Sequence, residues 1–327
     1  MSLSSSIRCA PPAGARRGLL RSFVAGIRPR RLMMLGRIVG QIAYYLDIAE
    51  RRVVWRNLKF CFPQWSFPEV VRFSKRVYQH LGTVILEMLQ TGALRADELI
   101  KRVEIVGSEH LLGALEEKRG VVVVSGHTGC WEMAMLAVAA RFQVPGTVAS
   151  KVDRRNRFRD SVRRDFGINT AYKKGAFPGM MQALRQGRIV AMAVDTSFSK
   201  NEVEVKFFGK RATMTMSAAL LALRCGSPVV PALCHRNPDG TLTLRLSPAF
   251  KVERTGDLRA DLEAGSQRMT DAVEEAIRQF PEQWLWRQKR WKVFYPELYP
   301  EYSMRRKRRK EKRMREKGDA AELSSSS

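Results

Sequence analysis

Residues 125–132, SGHTGCWE, place His127 five residues before Glu132 and directly after the valine run Val121 to Val124. An imidazole with a carboxylate partner is a general base. The carboxylate holds one ring nitrogen, leaves the other to take a proton, and stabilises the imidazolium that forms. On one continuous helix a spacing of five would set the two side chains about 140° apart. With Thr128 as the helix cap, His127 falls just outside the helix and Glu132 falls in or near its first turn, so the chain can bring both together. The stretch also contains Ser125, Thr128 and Cys130 as nucleophiles, but none has an acid or base partner at a characteristic spacing. The alternative is a nucleophile carried by the substrate. Cys130 reads as a small buried residue. Taken alone, the same spacing also arises from a polar loop histidine ahead of a helix-start glutamate.

A strand that ends in Ser-Gly and then turns into a helix is where α/β folds hold ligands, outside the carboxyl ends of the strands. From residue 119 short β-branched runs alternate with helical segments. Strands are expected at Val121–Ser125, Gly146–Ser150, Ile189–Asp195, Pro228–His235 and Thr241–Leu246, and helices near 131–142, 153–166, 177–186, 213–225 and 258–280. The alternation implies an α/β fold with a largely parallel or mixed central sheet flanked by helices. Residues 50–95 read as helices, with a turn at Phe62-Pro63-Gln64 and Ser66 as a cap. The expected layout is a disordered start (1–18), a membrane-associating helical segment (19–50), a catalytic domain (51–303) and a basic disordered tail (304–327).

The chain is 327 residues long and carries 58 Lys+Arg against 32 Asp+Glu, a net of +26. The two ends hold much of this, with +9 in residues 1–56 and +8 in RRKRRKEKRMREK, residues 305–317. Such a chain is drawn to anionic partners, among them a phospholipid surface, nucleic acid or an acidic protein. No stretch reaches the roughly 18–20 apolar residues that span a bilayer. The most apolar one, Leu32 to Leu46, contains Arg37 and follows RRGLLRSFVAGIRPRR, so residues 20–46 read as a basic amphipathic segment lying on a membrane. The five cysteines (Cys9, Cys61, Cys130, Cys225, Cys234) form no CxxC pair and no metal-ligand spacing, which suits reduced thiols. Neither a dinucleotide nor a P-loop glycine motif occurs, so no cofactor and no metal is implied.

A His-x4-Asp/Glu pair that activates a substrate hydroxyl is the pattern of glycerolipid-type acyltransferases, and four further stretches narrow the resemblance. They are Arg52 to Leu58 with Phe62-Pro63 (RVVWRNL…FP), Val203 to Thr213 (VEVKFFGKRAT), Leu221 to Pro231 (LALRCGSPVVP) and Pro281 to Lys292 (PEQWLWRQKRWK). Together they resemble the late acyltransferases of lipid A biosynthesis, the lauroyl and myristoyl transferases and their relatives. Phe177-Pro178-Gly179-Met180 lacks the glutamate of the glycerol-phosphate acyltransferase block, which separates the chain from that branch. Asp195 is followed by Thr196 where many members have Gln, and Gln288 stands where a His is common.

The resemblance implies an acyltransferase fold and an enzyme on the cytoplasmic face of the inner membrane. Its donor would be an acyl carrier protein thioester or acyl-CoA, and its acceptor a hydroxyl of a lipid A precursor or related lipid. His127 and Glu132 map onto the catalytic pair, with Glu132 orienting His127. Arg163 or Arg164, and Asp195, map onto substrate-binding positions. The arginine-rich stretch 153–164 suits docking of an acidic carrier protein. Trp284 and Trp286 read as core or acyl-groove residues, Trp291 as an interface residue, and Phe207-Phe208 as packing. A non-enzymatic basic protein on membranes or nucleic acid is the alternative; no nucleic-acid recognition fold is readable, so no specific nucleic acid is expected.

Overall fold

The computed structural model describes residues 26–150, 157–172, 175–197 and 202–302. The termini expected to be disordered, 1–18 and 304–327, lie outside the described residues. Four helices open the described chain: α1 (Pro29–Leu46), α2 (Ile48–Cys61), α3 (Phe67–Thr91) and α4 (Ala96–Arg102). Asp47 starts α2 by accepting from the Glu50 N–H at 3.3 Å. Ser66 starts α3 as expected, and Glu69 reaches back to its N–H at 2.6 Å. Helices α1 and α3 cross at backbone distance. A Cβ on Gly36 would lie 2.3 Å from Thr83 Cα, and one on Gly82 would lie 2.2 Å from the Gly36 carbonyl oxygen, so only glycine fits.

The rest is an α/β layer. In chain order it holds β1 (Val103–Val106), α5 (Ser108–Glu116), β2 (Val121–Ser125), α6 (Trp131–Phe142), β3 (Gly146–Ser150), α7 (Arg157–Asp165), β4 (Ile168–Tyr172), α8 (Ala176–Arg185) and β5 (Ile189–Ala193). A hairpin of β6 (Glu202–Phe207) and β7 (Lys210–Thr215) follows, then α9 (Ser217–Cys225), β8 (Val229–Arg236), β9 (Leu242–Leu246) and α10 (Leu258–Gln279). The main sheet runs β1-β9-β8-β2-β5-β3-β4. Its pairs are parallel except β8 with β9. Strand β2 lies at the centre. Val122 and Val124 enter the core on one face and Val121 the core on the other, which explains the unbroken valine run.

The structure departs from the sequence expectation in several elements. Strands β1, β4 and β6 were not foreseen; β1 and β4 are short, and β4 after Ile168 is exposed or only partly covered. The helix expected from 213 begins at Ser217, because Lys210–Thr215 is the second strand of a hairpin. Phe208 (φ 52°) and Gly209 (φ 69°) form its two-residue turn, in the left-handed region such turns require. The helix after His127 begins at Trp131 with Cys130 at its N-cap, so Thr128 is not the cap.

The closing segment is buried. Trp284, Trp286 and Trp291 are all 0% exposed, which corrects the interface reading of Trp291. Trp291 packs edge-on against Phe60 at 5.6 Å and lies 5.9 Å from Phe207. Phe207 and Phe208 are core residues, as expected. Asn57 of α2 explains the Arg-x4-Asn-Leu stretch. Its side-chain amide donates to the carbonyls of Trp286 (2.6 Å) and Gln288 (2.8 Å), and its oxygen accepts from the Tyr299 hydroxyl (2.6 Å). A helix near the start of the chain thereby fixes the loop that runs beneath His127.

Candidate active site

Two neighbouring strands set the centre of the site. The β2–β5 register pairs Ser125 with Ala193. Two residues past each strand stand His127 and Asp195, brought to the same height across a sequence gap of 68. His127 Nδ1 lies 2.8 Å from Asp195 Oδ1, and the His127 backbone N–H donates to Asp195 Oδ2 at 2.8 Å. The Trp284 indole N–H donates to the same oxygen at 2.8 Å and the Gln288 amide at 3.3 Å. Gly126 is required here, since a Cβ would meet Val273 Cγ1 at 2.9 Å. The His127 carbonyl accepts from Leu285 N–H (3.1 Å) and the Gln283 carbonyl from Gly129 N–H (3.3 Å), so the turn is stitched to the closing segment.

The electrostatics follow from this geometry. Asp195 is 1% exposed. Burial alone would raise its pKa, but the His127 charge and the converging donors outweigh it and hold the carboxyl at about 2. Burial disfavours a charged His127 ring, yet the Asp195 charge and hydrogen bond prevail and its pKa is raised above 6.5. Arg159 opposes this and Glu132 adds a smaller push in the same direction. With Nδ1–H donated to Asp195, Nε2 carries the lone pair. A base held by a carboxylate in the correct tautomer is the arrangement proton abstraction needs.

Glu132 does not orient His127. It lies in the first turn of α6, as expected, but its two oxygens accept from Arg163 Nε (2.6 Å) and Nη2 (2.7 Å). Helix α6 begins at Trp131, and the 128–130 turn ahead of it leaves Glu132 facing Arg163 of α7 rather than the imidazole. Asp160 supports Arg163 at 3.4 Å and is itself held by Thr170 (2.9 Å) and the Tyr172 hydroxyl. Of the two arginines, Arg163 is 5% exposed and paired with Glu132, and Arg164 faces solvent. Asp195, expected at a substrate-binding position, is instead enclosed beneath the histidine.

His127, Glu132 and Arg163 line a cavity of about 1530 Å³. Its wall is apolar at Met135, Val138, Val144, Ile168 and Met180. Arg159, Arg224, Lys289 and Lys292 also line it, and Glu132, the one acidic lining residue among the described residues, is paired with Arg163. The lining is therefore greasy with a cationic excess. Among the described residues no set of His, Cys, Asp and Glu side chains could hold a metal ion. Cys130 is fully buried, and burial, its largest influence, drives its thiol pKa well up, the reverse of an activated nucleophile.

Sequence reasoning missed Trp284 and Gln288 as partners of Asp195, and Arg159 as a cation acting on His127. Arg159 and Arg163 stand four residues apart on α7, so one helix face delivers both to the cavity. That spacing was visible in the sequence. The indole contact was not, because only the fold brings residue 284 to residue 195.

The sequence pattern described as "Bacterial lipid A biosynthesis acyltransferase" matches residues 22–293 of the chain. The chain is 26% identical over 269 residues to a lipid A biosynthesis lauroyltransferase of Escherichia coli K12, covering 79% of this chain and 84% of that protein. It is 24% identical over 211 residues to a phosphatidylinositol mannoside acyltransferase of Mycolicibacterium smegmatis, covering 63% and 67%. A lipid A biosynthesis acyltransferase of Haemophilus influenzae is 21% identical over 236 residues, covering 70% and 72%.

Proposed function

Because the chain belongs to the bacterial lipid A biosynthesis acyltransferase family, we propose that it moves a fatty acyl group from an acyl carrier protein or CoA thioester to a hydroxyl of a lipid A precursor or related lipid. The observation that carries this reading is the half-buried His127, held by the buried Asp195 and opening into a large, mostly apolar cavity. His127 Nε2 takes the proton of the acceptor hydroxyl as that oxygen attacks the thioester carbonyl. The tetrahedral intermediate collapses with loss of thiolate, which takes the proton back from the imidazolium. Acid assistance to the thiolate is a small demand because it is a good leaving group. The oxyanion needs positive charge or donors, and the Arg159/Arg163 face of α7 supplies charge beside the histidine. Glu132 holds Arg163 in place for that role. The cationic lining suits phosphate on the acceptor or on the donor's carrier arm.

Attachment to the membrane follows from α1. No single described helix is long and apolar enough to cross a bilayer. Yet Ile38 (59% exposed), Ile42 (56%) and Leu46 (78%) form one apolar face of α1, with Arg30, Arg31 and Arg37 also exposed. Such a helix lies in a lipid interface with its apolar face down, which supports a place on the cytoplasmic face of the inner membrane.

The test is incubation of the purified protein with a panel of acyl carrier protein and CoA thioesters and lipid acceptors, with mass spectrometry of the products. The expected product is an acceptor heavier by one acyl group, lost in His127→Ala. Undiminished transfer by His127→Ala would remove the assignment.

A further inference from the structure

Behind the turn that carries His127 lies a second charged cluster that faces away from the cavity. Seven residues apart on α3, His80 and Glu87 project from one side of the helix, about 20° from alignment. Strand β8 brings Arg236 against both. Its Nε donates to Glu87 Oε1 at 2.9 Å and its Nη2 to the other oxygen, while Nη1 lies 2.7 Å from His80 Nδ1. All three residues are buried. A guanidinium only donates, so His80 Nδ1 must accept, and the ring's proton sits on Nε2. Burial first, and Arg236 second, keep the ring neutral by pushing its pKa well below the usual histidine range.

The same arginine reaches Gly129, two residues after His127, through Gln283. The Arg236 N–H donates to Gln283 Oε1 at 2.6 Å and the Gln283 amide donates to the Arg236 carbonyl at 3.0 Å. The Gln283 carbonyl in turn accepts from Gly129 N–H at 3.3 Å. Gly129 has φ +54°, and a Cβ there would lie 2.7 Å from the Cys234 carbonyl oxygen. The Gly129 peptide is therefore held by Gln283, Gln283 is held by Arg236, and Glu87 and His80 fix Arg236.

We propose that His80, Glu87, Arg236 and Gln283 are positioning residues for acyl transfer, which set the orientation of His127 by fixing the Gly129 peptide. The inference rests on His127 being the base. A buried ion pair is weak support for stability, since apolar residues of equal volume pack as well or better. What an apolar cluster lacks is a guanidinium held in one place, whose own backbone pairs with the Gln283 side chain. Glu87 and His80 Nδ1 fix that guanidinium.

The test uses the full-length chain and the pair His80→Gln and His80→Leu. Glutamine keeps one acceptor and one donor, whereas leucine keeps volume and neither. His80→Leu should lower kcat by about 10- to 100-fold, with KM for both substrates nearly unchanged, as misplacement of a reacting group does. His80→Gln should recover most of that loss. Gln283→Met, which removes the side chain that pairs with the Arg236 backbone without changing α3, should lower kcat in the same way and serves where His80→Leu does not fold. A readout independent of turnover is the imidazole spectrum of protein labelled at its four histidines. His80→Leu should move the His127 Nδ1–H resonance and its titration, and His80→Gln should not. An unchanged His127 resonance in His80→Leu, or equal losses in both variants that track melting temperature, would overturn the proposal. If the wild type transfers no acyl group to any acceptor, the functional reading fails while the spectra still decide this inference.

Discussion

Asp195→Asn separates the observed arrangement from its rival. In the native site one carboxylate oxygen takes the His127 Nδ1–H and the other takes the His127 backbone N–H and the Trp284 indole N–H, all at 2.8 Å. Asparagine can keep its oxygen toward the backbone and the indole, so two of the three short bonds survive. Its NH₂ then faces His127 Nδ1 and donates to it, which moves the ring proton to Nε2 and removes the lone pair from the cavity side. The stability cost is that of one weakened charged hydrogen bond, about 1–3 kcal/mol. The rate cost is that of a wrong tautomer, on the order of 10²- to 10⁴-fold in kcat. The pH dependence changes too. The wild-type base works only when neutral, so kcat/KM should rise with pH through a His127 pKa lying above 6.5. Without the Asp195 carboxylate, burial and Arg159 outweigh the smaller push of Glu132, and the residual activity should rise at lower pH than in the wild type. Stability has the opposite sign. Asp195's contribution is present above 3.8 and is lost as pH falls through about 2. His127's is present below 6.5 and is lost as pH rises through its raised value. The pair therefore stabilises the fold fully between 3.8 and 6.5, and the active form appears as that stabilisation declines. Steady-state kinetics across pH, with thermal melts of both proteins, measure all of this. Asp195→Asn within about threefold of wild-type kcat, beside an inactive Glu132→Gln, would show that Glu132 and not Asp195 directs the base.

Glu132→Gln should also be damaging, by a different route. It leaves Arg163 buried without its carboxylate, so a melting loss equivalent to about 3–5 kcal/mol should accompany the fall in rate, and the acid limb of the pH profile should move little. Cys130→Ala should keep most activity, because a buried thiol with a raised pKa is no nucleophile; loss of turnover with a trapped acyl-cysteine in the wild type would contradict this. Ile38→Asp with Ile42→Asp should weaken flotation with anionic vesicles while leaving the melting temperature nearly unchanged, since both side chains are already more than half exposed. Salt should release part of the intact protein, because each Lys or Arg near an anionic surface contributes about 1 kcal/mol that salt screens.

What was legible in the sequence, and what was not, follows a physical division. Strands β2, β3, β5, β8 and β9 were readable because apolar runs bounded by turn residues are local signals. Strand β1 was hidden because it has only four residues, and β4 because Ile-Asn-Thr-Ala-Tyr contains no apolar run. The hairpin β6–β7 carried its turn signal at Phe208-Gly209, but the helix-like run after it drew the boundary too early. His127, Arg163 and Asp195 were all identified, as positions on strand ends or an arginine-rich helix. Their pairing was not, because His127–Asp195 depends on which strand lies beside β2, and Glu132–Arg163 depends on where α6 begins. Proximity in sequence favoured Glu132 as the imidazole's partner. Strand register favoured Asp195.

One helix joins the two parts of the molecule that the proposed reaction needs. Between Tyr78 and Glu87, α3 turns Tyr78, Gly82 and Thr83 toward α1 and His80 and Glu87 toward Arg236. Positions 80 and 82 lie about 160° apart around the axis, so the two contacts use opposite sides of the same turns. A Cβ on Gly40 would fall 2.0 Å from the Tyr78 carbonyl oxygen and one on Gly36 would fall 2.3 Å from Thr83 Cα. No larger side chain fits between these helices unless α3 itself moves, and movement of α3 shifts His80 and Glu87 against Arg236, which holds Gln283 and through it the Gly129 N–H. The apolar face of α1 and the base His127 are thus the two ends of one close-packed stack, α1 on α3 on the 127–130 turn. An acceptor hydroxyl held at a bilayer surface has to meet a base at a set height above that surface. Small residues at 36, 40 and 82 keep that height at the least thickness two helices allow, and the hydrogen bonds from Arg236 through Gln283 to Gly129 carry it to the imidazole.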